Sequence, residues 1–330
     1  MTSSSGGARA ASFSVSGAVS GAVSAAVFGL AVLTPGTSHA FCRTTTTPIP
    51  ASYSPTNGCF TDGLPLFWKN ACVGYSINES ASALVPFAEA SRVIDAAFAT
   101  WNAATCAASG TTAGITSSNL GAVACAEVRY NQNGPNQNLV VFRDDKWPYS
   151  DPNNTLGLTT VTFNADTGEI YDADMEINAS DKNLTTTTIV PLAGFDLLSV
   201  ITHEAGHFLG LAHAGDARAT MFASYRPGTS ALRTLAADDA AGICEIYPTG
   251  ATRNVASTVS ASGVTEAAAC DPQPRHGFST TCAENAAPRD SGGSSSGCAV
   301  ASEASGEGSS WASFGLFAGL ALIVTRLRRR

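Results

Sequence analysis

The stretch from His203 to His213 reads His-Glu-Ala-Gly-His-Phe-Leu-Gly-Leu-Ala-His, which has the form H-E-x-x-H-x-x-G-x-x-H. On a helix, residues four apart share a face, so His203 and His207 can bring two imidazoles to one point. At about 100° per residue, Glu204 lies roughly 60° around the helix from His207, beside the ligands rather than among them. That position suits a carboxylate acting on a metal-activated water. His213 decides the geometry. An uninterrupted helix would carry it about 9 Å beyond His207, out of reach of a Zn–N bond of about 2.0–2.1 Å. Gly210 removes the difficulty, because glycine takes the positive φ that ends a helix and turns the chain back. The stretch therefore reads as a single Zn2+ site with His203, His207 and His213 as ligands and Glu204 as general base. The fourth position is left for water.

H-E-x-x-H by itself is short enough to arise by accident, and a surface helix with two histidines is the bland alternative. The histidine inventory speaks against it. Of five histidines, His39 falls in the leader and His276 in the C-terminal linker, so every histidine of the folded domain belongs to this motif. A second alternative is a non-enzymatic cell-surface binding protein with a structural zinc. Structural sites usually have four protein ligands, and here three ligands stand beside an intact Glu204. Zinc-dependent hydrolysis of a non-protein bond fits the motif too.

The elements that must position these residues are legible in outline. Pro65–Lys69 and Cys72–Asn78 read as a first strand region after an irregular segment over 42–63. Pro86–Asn102 has Val93, Ala97 or Phe98, and Trp101 at helical spacing, and is expected to pack one face on a sheet. Val123–Tyr130 and Asn138–Arg143 read as strands, and Asp144–Asn154 as a loop. Leu156–Phe163 and Ile170–Asn178 flank an Asp/Gly turn at Asn164–Gly168, a hairpin signal. In the second of these strands Asp172, Asp174 and Glu176 would point the same way. They offer oxygens of the kind Ca2+ takes, but read first as a solvated edge that discourages strand pairing. Asp196 is placed to cap the helix that carries His203 and His207.

The chain has 330 residues, 44% hydrophobic and 13% charged, with a net charge of −8 and lysine only at 69, 146 and 182. That balance excludes a nucleic-acid footprint. Nine cysteines, none in a C-x-x-C pair, favour disulfides and an exported protein. Residues 1–40 resemble a signal peptide, with Arg9, an apolar run ending at Phe28–Leu33, and Ser38-His39-Ala40 before the cleavage point. Residues 41–249 are expected to form the folded domain that carries the zinc motif. Residues 250–310, rich in Ala, Ser, Gly and Thr, read as a flexible linker. An apolar run from Trp311 leads into arginines at 326 and 328–330. Cys298 in Ser/Gly-rich sequence, followed by that run and those arginines, resembles a MYXO-CTERM-type sorting signal. The resemblance implies processing near Cys298 and a cell-surface or released product, with the membrane touched only through this segment. An ordinary C-terminal anchor is the alternative. If Cys298 belongs to the signal, eight cysteines remain, with Cys270–Cys282 the expected local pair and Cys106–Cys125 the next.

Residues 60–248 as a whole resemble the metzincin zinc proteases, and within them the matrixins. Ala219-Thr-Met-Phe-Ala-Ser-Tyr225 is similar to their methionine turn. The resemblance implies Met221 as the hydrophobic floor under the zinc and Tyr225 as part of the S1′ pocket wall. Ala223 stands where matrixins have proline, so the wall is expected to differ in shape. The same position carries the zinc-binding tyrosine of astacins and serralysins, so that switch is absent. Leu235–Pro248 is similar to the last matrixin helix, and implies that Asp238 and Asp239 brace the methionine turn and the N-terminal segment. The dipole of a helix N-terminus would by itself explain both carboxylates. The matrixin cysteine-switch propeptide and the histidines of a second, structural zinc are not found. The implied fold is α+β, a twisted, mostly parallel sheet with an antiparallel edge strand, an active-site helix, a backing helix and a C-terminal helix. The implied activity is hydrolysis of peptide bonds in extracellular proteins by a monomer, with the substrate strand aligned along Ile170–Asn178. The imidazoles must be neutral to bind zinc, so activity is expected to fall in acid.

Overall fold

A computed structural model of the chain describes residues 41–50, 52–256, 260–282 and 301–302. Its centre is a five-stranded sheet of β2 (Cys72–Asn78), β3 (Thr116–Val123), β4 (Leu139–Arg143), β5 (Gly157–Phe163) and β6 (Ile170–Asn178), in the order β3-β2-β4-β6-β5. All neighbours run parallel except β5, which pairs antiparallel with β6. The Asn164–Gly168 turn closes that hairpin: Gly168 has φ +78° and its N–H donates to the Asn164 carbonyl at 2.8 Å. Two short pairs flank the sheet. β1 (Cys42–Arg43) joins β9 (Leu211–Ala212), and β7 (Leu184–Thr185) joins β8 (Phe195–Asp196).

Two helices pack together beside this sheet. α1 (Phe87–Asn102) buries Ala90, Val93, Ile94, Ala97, Phe98 and Trp101, the stripe its periodicity predicts. Tyr75 of β2 stacks on Phe98 at 4.0 Å, and Phe98 meets Phe208 of α2 (Leu197–Phe208) edge-on at 5.1 Å. The indole of Trp101 donates to the Thr202 carbonyl of α2 at 2.8 Å. Its side chain is 1% exposed. Its loss would leave a cavity and remove this tie between the helices, a change of about 3–5 kcal/mol.

Three expectations are corrected. The strand expected over Val123–Tyr130 lies earlier, at Thr116–Val123. β3 is the outer strand of the sheet, so it tolerates the Thr-Ser-Ser-Asn run that hides it from hydropathy. Next, Ile170–Asn178 is not an edge. β6 lies between β4 and β5, and Asp172, Asp174 and Glu176 are 1, 2 and 1% exposed. Buried carboxylates need partners. Asp174 takes the Leu139 N–H at 2.9 Å, and Glu176 takes Arg143 Nε at 2.7 Å and the Tyr149 hydroxyl. These contacts occupy Asp174 and Glu176 without a cation, and the three carboxylates do not gather into a Ca2+ cage among the described residues. Among the described residues the edges of this sheet are β3 and β5.

The third correction concerns 250–282, which the sequence assigns to a linker. β11 (Thr252–Asn254) and β12 (Val264–Glu266) form a hairpin, and the chain then runs back across the domain. Asn70 bridges Ala268 and Asn136 bridges Phe278, both in parallel. Two disulfides follow this path, Cys72–Cys270 and Cys125–Cys282, while Cys42–Cys59 and Cys106–Cys244 join other parts of the domain. Neither Cys270–Cys282 nor Cys106–Cys125 forms. Each cysteine of the C-terminal strap is carried to a strand-end partner instead of staying with its neighbour in sequence.

Arg253 fastens the strap. It is 0% exposed, and its guanidinium donates to the carbonyls of Trp68 at 2.7 Å, Asn70 at 2.6 Å, Gly114 at 3.0 Å and Thr252 at 2.8 Å. The leader, Cys298 and the apolar run from Trp311 lie outside the described residues. Among the described residues no helix is long and apolar enough to cross a membrane. Residues 301–302 pair in parallel with Ser224–Tyr225.

Candidate metal centre

α2 begins where Asp196 caps it, accepting the Ser199 N–H at 2.9 Å and the Ser199 hydroxyl at 2.7 Å. Arg233 closes on the same carboxylate through Nε at 2.7 Å and Nη2 at 2.6 Å. An ion pair this buried needs such two-pronged geometry to offset desolvation. The helix stops at Phe208. Gly210 follows with φ +94°, its N–H donating to the His207 carbonyl at 2.9 Å. An added Cβ at Gly210 would stand 3.1 Å from the Leu66 carbonyl oxygen, so both conformation and space call for glycine here.

The turn after Gly210 brings His213 back to the other two histidines. The ring centroids of His203, His207 and His213 lie 4.8, 5.2 and 4.9 Å apart, and candidate ligand atoms of all three fall within 4.8 Å of one another. His203 Nδ1 donates to the Thr220 carbonyl at 2.6 Å, and His207 Nδ1 to the Leu211 carbonyl at 2.9 Å. Those carbonyls fix the tautomers and leave both Nε2 lone pairs facing the centre. The two Nε2 atoms are 3.1 Å apart. That is close to the edge, about 3.3 Å, of a tetrahedron with Zn–N bonds of about 2.0–2.1 Å. His213 Nε2 is buried and meets no hydrogen-bond partner among the described residues. A buried acceptor without a donor is costly, and a cation at the centre of the three rings removes that cost.

Burial also keeps the three rings neutral. It holds His203 well below 6.5, with His207 and His213 adding to the effect and the Thr220 carbonyl opposing it. Burial brings His207 to about 4 against the pull of the Leu211 carbonyl. His213 is likewise well below its ordinary value, through burial first and His207 second. Neutral imidazole is the form that binds metal. The donor set therefore fits zinc: three neutral nitrogens converge, and among the described residues no fourth His, Cys, Asp or Glu joins them.

The remaining site residues take distinct places. Met221 is 1% exposed and packs on Gly206, where an added Cβ would stand 2.2 Å from its Sδ. Asp239, in α3 (Ala237–Ile246), accepts the N–H groups of Thr220 at 2.7 Å, Met221 at 3.0 Å and Ala236 at 2.8 Å. Asp238 stands half-buried in the first turn of α3, and the turn contacts just named belong to Asp239. Tyr225 is 2% exposed. Its hydroxyl donates to the Thr229 carbonyl and accepts the Asp196 N–H at 3.3 Å, tying the segment after Met221 to the start of α2. His276 lies away from the centre, 3.2 Å from the Tyr130 hydroxyl.

Glu204 is 0% exposed and lies against β5, where the Thr159 hydroxyl donates to its Oε2 at 2.7 Å. Sequence reading missed Thr159 and Gly157, because nothing in β5 marks which residues face α2 until the register is known.

Residues 67–248 match a family model described as Matrixin. Metalloendoproteinase 1 of Glycine max is 38% identical over 104 residues, covering 31% of this chain and 32% of its own length. Matrix metalloproteinase-26 of Homo sapiens is 31% identical over 121 residues, 35% of this chain and 42% of its own length. Matrilysin of Homo sapiens is 33% identical over 103 residues, 31% and 35% of the two chains. The chain thus spans between 32% and 42% of the length of these curated relatives.

Proposed function

Since the chain belongs to the matrixin family, we propose that it is a zinc-dependent endopeptidase acting on extracellular proteins. The observation that carries this reading is the convergence of three neutral imidazoles, two of them on the helix that also carries the buried Glu204. No fourth His, Cys, Asp or Glu joins them among the described residues. Bound zinc lowers the pKa of a coordinated water to about 7 and polarises a carbonyl oxygen. His203, His207 and His213 would hold the ion through the nitrogens left free by their carbonyl partners. Glu204 takes the proton of the attacking water and returns it to the departing amine. β5, the antiparallel edge of the sheet, offers its outer main chain to an extended substrate, which would add as a further strand. Tyr225 would form part of the wall of the primed-side pocket, with Ala223 making that wall less bulky than a proline would.

Four disulfides support an oxidising compartment, hence export. We place the leader at 1–40 and a surface-sorting segment at the C-terminus, with a monomeric peptidase between them. The strap described above supports extending the folded unit from 249 to 282.

The test is direct. Zinc-loaded protein should cleave casein or a mixed fluorogenic peptide set, lose that activity to a chelator and regain it with added zinc. Glu204→Ala should keep its zinc and lose cleavage. One zinc per chain without chelator-sensitive cleavage would favour the non-enzymatic binding module instead.

A further inference from the structure

Successive side chains of a strand alternate between its faces, so Gly157 and Thr159 of β5 face the same way, toward α2. Both meet Glu204. The Thr159 hydroxyl lies 2.7 Å from Glu204 Oε2 and 3.2 Å from the Glu204 carbonyl oxygen. A hydroxyl has one proton to give, and the shorter contact, to the carboxylate oxygen, takes it. Two positions earlier, an added Cβ at Gly157 would stand 2.6 Å from Oε1 and 2.9 Å from Cδ and Cγ. Thr159 and Glu204 are both 0% exposed. The carboxylate is therefore held from one side by a hydroxyl and admitted on the other only because Gly157 has no side chain.

We propose that Thr159 is a positioning residue for Glu204, fixing the carboxylate in one rotamer so that the base is already oriented when substrate arrives. This rests on the endopeptidase reading above. A glutamate has three side-chain torsions, and freezing them beforehand removes ordering that would otherwise be needed on the way to the transition state. The β-branch of threonine matters as well. It restricts χ1, so the hydroxyl has few other directions to take. Nothing in this role touches substrate binding or the metal, and that separates it from a merely structural one.

Thr159→Val keeps the shape and removes the hydroxyl; Thr159→Ser keeps the hydroxyl. With one fluorogenic peptide, Thr159→Val should lower kcat about tenfold or more, leave KM within about twofold, and retain one zinc per chain. Thr159→Ser should recover most of kcat. Crystal structures of both variants supply a readout that needs no turnover: Glu204 should keep its rotamer in Thr159→Ser and leave it in Thr159→Val. Wild-type kcat in Thr159→Val, or a loss accompanied by raised KM and lost zinc in both variants, overturns the proposal. If the wild-type protein cleaved nothing, the endopeptidase reading would fall. An unmoved Glu204 in the Thr159→Val crystal would still, on its own, reject the positioning role.

Discussion

Asp239 holds Thr220 by its main-chain N–H at 2.7 Å, and the carbonyl of that same Thr220 accepts Nδ1 of His203 at 2.6 Å. One residue thus links α3 to His203. Burial raises the Asp239 carboxyl, but three main-chain N–H groups oppose the rise and favour the ionised form. Asp239→Ala strands those three donors in the interior. A loss of about 3 kcal/mol or more is expected, since each unpaired buried donor costs about 1–3 kcal/mol. Zinc affinity should fall about 10–100-fold through the loosened Thr220. Denaturant unfolding and chelator competition measure the two. A variant as stable as wild type, with unchanged zinc affinity, would break the link.

Gly206 sits inside α2, where alanine would normally add about 0.5–1 kcal/mol of helix stability. The surroundings reverse that. A Cβ there would meet Met221 Sδ at 2.2 Å and Trp101 Cζ2 at 2.8 Å. The methionine can bend, but the indole is fixed by its bond to Thr202. Overpacking of this kind costs about 1–3 kcal/mol, so Gly206→Ala should destabilise by about 1–2 kcal/mol net. It should also displace Met221, which packs on Gly206. A thermal midpoint above wild type would contradict the packing argument.

What the sequence makes legible here is the local chemistry. The three histidines that converge, the helix stop at Gly210 and the Asp196 cap are written in short stretches whose geometry follows from helix dimensions. The stripe on α1 is legible for the same reason. Relations set by sheet order are not. Asp172, Asp174 and Glu176 alternate as an exposed edge would, yet β5 covers that edge, and Arg143 and Tyr149 come from elsewhere in the chain to meet Glu176. Composition also misleads over 250–282, whose small polar residues suggest a linker. There, order comes chiefly from one buried arginine and two long-range disulfides, with Val255 and Phe278 adding the apolar contacts. The β5 partners of Glu204 belong with these non-local relations: only the hairpin register shows that Gly157 and Thr159 face the helix.

The strap should contribute to the stability of the whole domain. Arg253→Ala leaves the Trp68, Asn70 and Gly114 carbonyls without their donor and opens a cavity beside the Tyr247 ring, over which the guanidinium carbon sits at 4.8 Å. A destabilisation of about 3 kcal/mol or more is expected. Replacing both Cys72 and Cys270 by serine removes a bridge across 198 residues and should cost about 2–4 kcal/mol. Urea unfolding of each variant gives the numbers. If both changes were neutral, residues 250–282 would be the linker that composition suggests.

Tyr247 sets an alkaline limit. It is fully buried, its hydroxyl accepting the Trp68 N–H at 3.1 Å and donating to the Leu209 carbonyl at 2.9 Å. Burial pushes the phenol up from 10.0 to about 12, against the Trp68 N–H and the positive charges of Arg253 and Arg43. A phenol raised in the folded state loses its proton first in the unfolded chain. Its contribution to stability is therefore complete below pH 10 and is lost as pH rises through about 12. The full loss is about 2–3 kcal/mol. Tyr247→Phe should be less stable than wild type at pH 8, by about 1–3 kcal/mol, because two buried main-chain groups lose their partner. It should lose less of its remaining stability between pH 10 and 11.5, so the two proteins converge. Urea midpoints measured across that range decide it, and parallel curves would mean that Tyr247 is not the group being titrated.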